Sequence, residues 1–228
     1  MPVAANITAI IFDCDGVLID SEVLGLEVEL RTLAEVGLHY DVAEYHRRFL
    51  GLPHRAYLAE LDADARAITG RALPADFSAT ITTRLRESFG AKLTRIAGAL
   101  ELVRALQVPK AVASSSLLQS LNWKLEKTEL KPAFGDHVYS AEHVKRGKPA
   151  PDLFLYAAER IAAVPETTLV IEDSANGIKG AKAAGMIAAG FTAGGHCLPG
   201  HDGMLADAGA DLVFASFADL DAFLARAP

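Results

Sequence analysis

A chain of 228 residues that is 51% hydrophobic and 22% charged can bury a substantial core, either as one domain or as two small ones. Its net charge of −7, with no run of Lys or Arg, gives no support to nucleic-acid binding or to adhesion on an anionic membrane, and points to a small substrate. No stretch reaches roughly 18 uninterrupted apolar residues, and Met1 to Asn6 lacks the basic-then-apolar pattern of a signal peptide, so no membrane span and a cytoplasmic location are expected.

The first element in chain order is Ile7 to Phe12, an uncharged, β-branched run that reads as a fully buried strand of a parallel sheet. Asp13 then stands at the carboxyl end of that strand, where ligands of open α/β sheets bind, and Gly16 allows a sharp turn. Asp13 and Asp15 are expected to point into one pocket. Two close carboxylates need a cation or a shared proton between them, and an all-oxygen donor set favours Mg²⁺ over softer metals. Asp-Cys-Asp-Gly could also be only a turn, since these are ordinary turn residues.

From about Ser21 to Gly90 the pattern is helical, with segments over Glu22 to Val36, Val42 to Leu50, Arg55 to Thr69 and Ala75 to Phe89. From Gly98 short apolar strands alternate with helices. A helix carries Leu100, Val103 and Leu106, the strand Lys110 to Ala113 follows, and another helix runs through Leu125. The rhythm continues with Val138 to Ser140, a helix over Pro151 to Ala162, Thr168 to Ile171, a helix over Ala175 to Ala184, Ile187 to Phe191, and an edge strand over Asp211 to Phe214. This alternation argues for an α/β fold, a doubly wound parallel sheet, in residues 1–20 and 92–228, with a helical domain inserted at 21–91.

Several polar residues fall at strand ends. Ser114 follows the second strand, and its hydroxyl, with the backbone N–H groups of Ser115 and Ser116 at a helix start, either holds phosphate oxygens or caps the next helix. Glu172 and Asp173 follow an apolar strand directly and offer further hard oxygen ligands, or serve as an acidic pair at a helix amino terminus. Two cysteines are too few for a disulfide framework, and with the seven histidines they match no zinc pattern. Cys14 reads as a small apolar filler, and His196 and His201 as ordinary surface residues of a Gly/Pro-containing loop.

The segment Asp13-Cys14-Asp15-Gly16-Val17-Leu18-Ile19-Asp20-Ser21-Glu22 resembles the first motif of the haloacid dehalogenase superfamily of phosphohydrolases, in the branch like β-phosphoglucomutase and phosphoglycolate phosphatase. Ala111-Val112-Ala113-Ser114, Gly147-Lys148-Pro149-Ala150-Pro151-Asp152 and Ile171-Glu172-Asp173-Ser174-Ala175-Asn176-Gly177 resemble the second, third and fourth motifs, in order. The resemblance implies a Rossmann-like core with a helical cap and hydrolysis of a small phosphate monoester, such as a sugar phosphate, a sugar-acid phosphate or phosphoglycolate. It implies Asp13 as nucleophile forming an aspartyl-phosphate, Asp15 as general acid and base, and Lys148 and Ser114 completing the pocket. Mg²⁺ would be held by Asp13, the backbone carbonyl of Asp15, Asp173 and, directly or through water, Glu172. Gly16, Ser115, Ser116 and Asn176 would line the phosphate site.

Substrate selection is expected in the helical domain, where Glu22, Arg47, Arg48, Gly51, His54 and Arg55 are the candidates. Relatives resembling β-phosphoglucomutase carry a His shortly after the first motif and Ser-Lys-Asn after the second, whereas this chain has Val23-Leu24-Gly25-Leu26 and Ser116-Leu117-Leu118. That departure favours hydrolysis over the competing phosphoglucomutase reading. A non-catalytic sensor of a phosphorylated metabolite is the alternative of another class, and the sequence leaves oligomeric state open.

Overall fold

The computed structural model describes residues 7–49 and 54–226. Six strands form one sheet, and every pairing in it is parallel: β1 (Ala9–Phe12), β2 (Lys110–Ser114), β3 (Val138–Ser140), β4 (Thr168–Glu172), β5 (Ile187–Phe191) and β6 (Leu212–Phe214). Their spatial order is β3-β2-β1-β4-β5-β6. The chain therefore winds outward from β1 in one direction as far as β3 and then returns to β1's other side. Ligands of open α/β sheets bind beyond the carboxyl ends of the strands at such a reversal, which here lies at β1.

The helices in chain order are α1 (Ser21–Glu35), α2 (Val42–Phe49), α3 (His54–Thr69), α4 (Phe77–Lys92), α5 (Ala99–Ala105), α6 (Leu118–Lys127), α7 (Lys131–Phe134), α8 (Asp152–Arg160), α9 (Ala175–Ala183), α10 (His201–Asp207) and α11 (Phe217–Leu224). The chain separates into two compact units, one of Met1–Glu22 with Leu93–Pro228 and the other of Val23–Lys92. In the first, alternate strand residues feed opposite faces of the sheet. Ile11, Ala113, Val170 and Ala188 pack with Leu153, Phe154, Ala157 and Ile178 from α8 and α9. On the other face Phe12 meets Phe134 edge-on at 5.9 Å between centroids, and Phe191 meets Phe217 at 4.6 Å. The Val23–Lys92 unit has its own core of Leu33, Leu38, Tyr45, Phe49, Leu61, Phe77 and Ile81.

Three helices are additional to the alternation read from the sequence. α7 is a single four-residue turn, too short to show a period. α10 carries Gly203 in its interior and begins at His201 in what reads as a loop. α11 carries a start signal, because Ser216 Oγ accepts the Asp219 backbone N–H at 3.1 Å. No helix among the described residues is long and apolar enough to cross a membrane.

Candidate active site

The strand register brings the site together. Phe12 lies beside Val112 on one side and Ile171 on the other, so Asp13 and Glu172, the next residues along, and Ser114, two beyond Val112, all emerge at one sheet edge around the crossover point. Gly16 turns the chain away from that edge at a φ of +77°, which a side chain would strain. A Cβ there would also fall 1.9 Å from Asp173 Oδ2, so the glycine leaves the room that Asp173 occupies.

Lys148 is the hub. Its Nζ donates to Asp13 Oδ1 at 2.6 Å, Glu172 Oε1 at 2.5 Å and the Ala113 carbonyl at 2.9 Å, which fills its three-donor capacity. Burial opposes its charge, but the Asp13 and Glu172 carboxylates push its pKa up. Asp13, Glu172 and Asp173 are all buried, with candidate ligand oxygens within 4.8 Å of one another. Burial pushes the Asp13 carboxyl well above the usual range; Lys148 pulls it back, and Glu172, Asp173 and Asp15 push it up. The Glu172 carboxyl is raised by burial in the same way, against Lys148.

An oxygen-only donor set carrying excess negative charge fits a hard divalent cation. The oxygens differ in availability. Both Glu172 oxygens are engaged by protein donors, Oε1 by Lys148 and Oε2 by the Ser174 hydroxyl at 2.9 Å and its N–H at 3.2 Å.

Asp15 has different partners from Asp13. Its carboxylate accepts from Ser21 Oγ at 2.5 Å, Ser116 Oγ at 2.7 Å and Lys124 Nζ at 2.5 Å. Burial works to raise its pKa, but Lys124 by charge and hydrogen bond, with Ser21 and Ser116, holds the carboxyl below its usual value. Glu22 stands near the same group; burial, then Asp15 and Asp173, push its carboxyl up to about 7.

A family model described as haloacid dehalogenase-like hydrolase matches residues 7–185. This chain belongs to that family. A phosphorylated carbohydrates phosphatase of Thermotoga maritima is 33% identical over 181 residues, which cover 78% of this chain and 82% of that protein. A conserved haloacid dehalogenase-like protein of unknown function from Agrobacterium tumefaciens superimposes with a TM-score of 0.86 at 38% identity, covering 96% of this chain and 98% of the other. A haloacid dehalogenase family hydrolase from Deinococcus radiodurans, solved with bound phosphate and sodium, gives 0.81 at 36% identity and covers 97% and 96%.

In this haloacid dehalogenase-like hydrolase the remaining candidates fall unevenly. Ser114 is buried, and its Oγ accepts the Ser116 N–H at 3.1 Å. The helix after β2 starts at Leu118, beyond Ser115 and Ser116, so those two amides belong to the preceding bend. Ser115 and Asn176 are exposed. In the helical unit Arg48 is committed to Asp64 at 2.7 Å and lies over the Phe49 ring at 4.8 Å, which makes it a packing residue of that unit; Arg47 and Arg55 are exposed. Gly51 and the His54 side chain lie outside the described residues.

Lys124 and His196 are the residues that sequence reasoning missed. Lys124 sits ten residues beyond Ser114, and only the turn of α6 brings it to Asp15. His196, read as a surface residue, has a side chain only 7% exposed, and its Nε2 is 3.0 Å from Asp173 Oδ2. Burial opposes its charge, yet the Asp173 hydrogen bond pushes its pKa up to about 10. The usable signal was proximity in the sequence of Gly194, Gly195 and Gly200, glycines that let a loop fold back over the sheet edge.

Proposed function

We propose that this hydrolase, a phosphatase of the haloacid dehalogenase family, cleaves a small phosphorylated carbohydrate through an aspartyl-phosphate on Asp13. The observation that carries the reading is the division of the two motif carboxylates between two buried lysines: Asp13 on Lys148 and Asp15 on Lys124. Two neighbouring carboxyls with different environments can take different chemical roles.

Asp13 attacks phosphorus, and the bond to the sugar oxygen breaks as the phosphoryl group passes to its carboxylate. Lys148, held on Asp13 and Glu172, offsets charge as the phosphoryl group arrives. Asp15 gives a proton to the leaving alkoxide and then takes one from the water that hydrolyses the acyl phosphate. Ser114, at the end of β2, contributes a hydroxyl to the phosphoryl pocket. Mg²⁺ would be held by the Asp13 and Asp173 side chains and the Asp15 carbonyl, and supplies Lewis-acid neutralisation of the phosphoryl oxygens. Glu172, with both oxygens engaged, anchors Lys148 and borders that centre.

The substrate class is supported by the Thermotoga maritima phosphatase of phosphorylated carbohydrates, and the phosphate site by the bound phosphate of the Deinococcus radiodurans hydrolase. Inorganic phosphate release from a panel of sugar phosphates, sugar-acid phosphates and phosphoglycolate, with Mg²⁺ and with chelator, tests it. Metal-dependent release confined to a few esters is expected. Isomer interconversion without phosphate release, or binding without turnover, would overturn it.

A further inference from the structure

Beside the acidic centre lies a second donor cluster of different chemistry. His196, Cys197 and His201 each present a ligand atom, and these atoms lie within 4.8 Å of one another. We propose that His196, Cys197 and His201 form a binding site for a borderline-soft divalent cation of the zinc class, separate from the oxygen-only site of Asp13 and Asp173.

Two imidazole nitrogens and a thiolate are a donor set suited to such a cation and poorly suited to Mg²⁺. The geometry agrees. Zinc bond lengths of about 2.3 Å to sulfur and about 2.0–2.1 Å to nitrogen, at a tetrahedral angle, separate the two ligand atoms by about 3.6 Å. Cys197 Sγ lies 3.6 Å from His196 Nε2.

The supporting groups are already arranged. His201 Nε2–H donates to the Asp173 backbone carbonyl at 2.7 Å, which fixes the tautomer and leaves Nδ1 as the ring's lone-pair donor. A ligating histidine whose other nitrogen is held by a carbonyl is the usual outer arrangement of a metal site. His196 is seated in a gap that two glycines leave. A Cβ would come within 2.8 Å of its Cε1 from Gly16 and within 2.7 Å from Gly194. Asp173 Oδ2 lies 3.0 Å from His196 Nε2, the same ring nitrogen that faces Cys197 Sγ. Metal entry releases the Cys197 thiol proton and any proton on His196 Nε2 or His201 Nδ1, while His201 keeps its Nε2 proton on the carbonyl.

The test uses the full chain saturated with Mg²⁺ and titrated with Co²⁺, which takes zinc-like geometry and is visible. One equivalent is expected to give the near-ultraviolet sulfur-to-cobalt band and the intense visible bands of a tetrahedral site. Zn²⁺ should displace it and further Mg²⁺ should not. The charge-transfer band should vanish in Cys197→Ser, affinity should fall about tenfold or more in His201→Ala, and the band should persist in Asp13→Asn. Thermal transitions by circular dichroism identify any variant that fails to fold; if one does, loss of one thiolate's absorption edge in zinc-loaded wild type on alkylation of Cys197 serves instead. Absence of the band in wild type, its survival in folded Cys197→Ser, or displacement by Mg²⁺ would overturn the assignment.

Discussion

Replacing Lys148 with Met removes a buried charge while keeping an unbranched side chain of similar length, and should destabilise the protein in a pH-dependent way. The lysine side chain is 5% exposed and bridges Asp13 and Glu172, whose side chains are 11% and 1% exposed, with Asp173 in the same cluster. Removing one partner of a buried ion pair costs about 3–5 kcal/mol, because the remaining charge is left without compensation. Protonation is the way out. The Asp13 and Glu172 carboxyls are raised by burial even with Lys148 present, and they rise further without it. A carboxyl whose folded pKa exceeds its unfolded value of about 4 binds protons more tightly in the native state, so stability falls as pH climbs from that value through the folded pKa. Every tenfold tightening of proton binding by the native carboxyl costs about 1.4 kcal/mol once the group is forced to ionise. The deficit of Lys148→Met relative to wild type should therefore be larger near about pH 8 than near about pH 5.5. Urea denaturation with chelator present, followed by fluorescence of the single tryptophan, Trp123 in α6, reads this directly. A loss below about 1 kcal/mol, or an equal loss at both pH values, would refute the buried-pair reasoning.

Other substitutions probe the same architecture. At Gly177 a Cβ would fall 1.8 Å from Glu172 Cδ, so Gly177→Ala should displace the Lys148 anchor, lowering stability by about 1–3 kcal/mol by denaturation and kcat with it. Gly16→Ala, with its Cβ 1.9 Å from Asp173 Oδ2 and a strained φ of +77°, should raise the Mg²⁺ concentration for half-maximal phosphate release by about tenfold or more. Lys124→Met removes the main group lowering the Asp15 pKa, so the acidic limb of the kcat profile, where Asp15 must be ionised to act as base, should move to higher pH. A limb at the wild-type position would detach Asp15 from that step.

The sheet was legible because β1 to β5 are buried almost throughout and read as largely apolar runs. β3 and β5 have the limits expected from Val138 to Ser140 and Ile187 to Phe191, and β2 and β4 run one residue further, into Ser114 and Glu172. Asp13, Lys148, Glu172 and Asp173 were visible because each directly follows a strand or sits in a short ordered motif. Lys124 was not, because it lies within α6, away from any strand end or short motif, and meets Asp15 only in the folded chain. His196 was missed for a similar reason. A loop histidine is ordinarily solvated, and only the paired gaps at Gly16 and Gly194 admit its ring beside Asp173. Arg48 shows the opposite failure, since a charge suited to substrate is spent on Asp64.

The most direct test of the aspartyl-phosphate reading is rapid-quench mass spectrometry of the enzyme mixed with a turned-over phosphate ester and Mg²⁺. One phosphoryl group on the peptide containing Asp13, appearing and decaying at rates compatible with kcat and absent in Asp13→Asn, is the expected result. Undiminished phosphate release by Asp13→Asn, or a phosphoryl group trapped on a different residue, would contradict it.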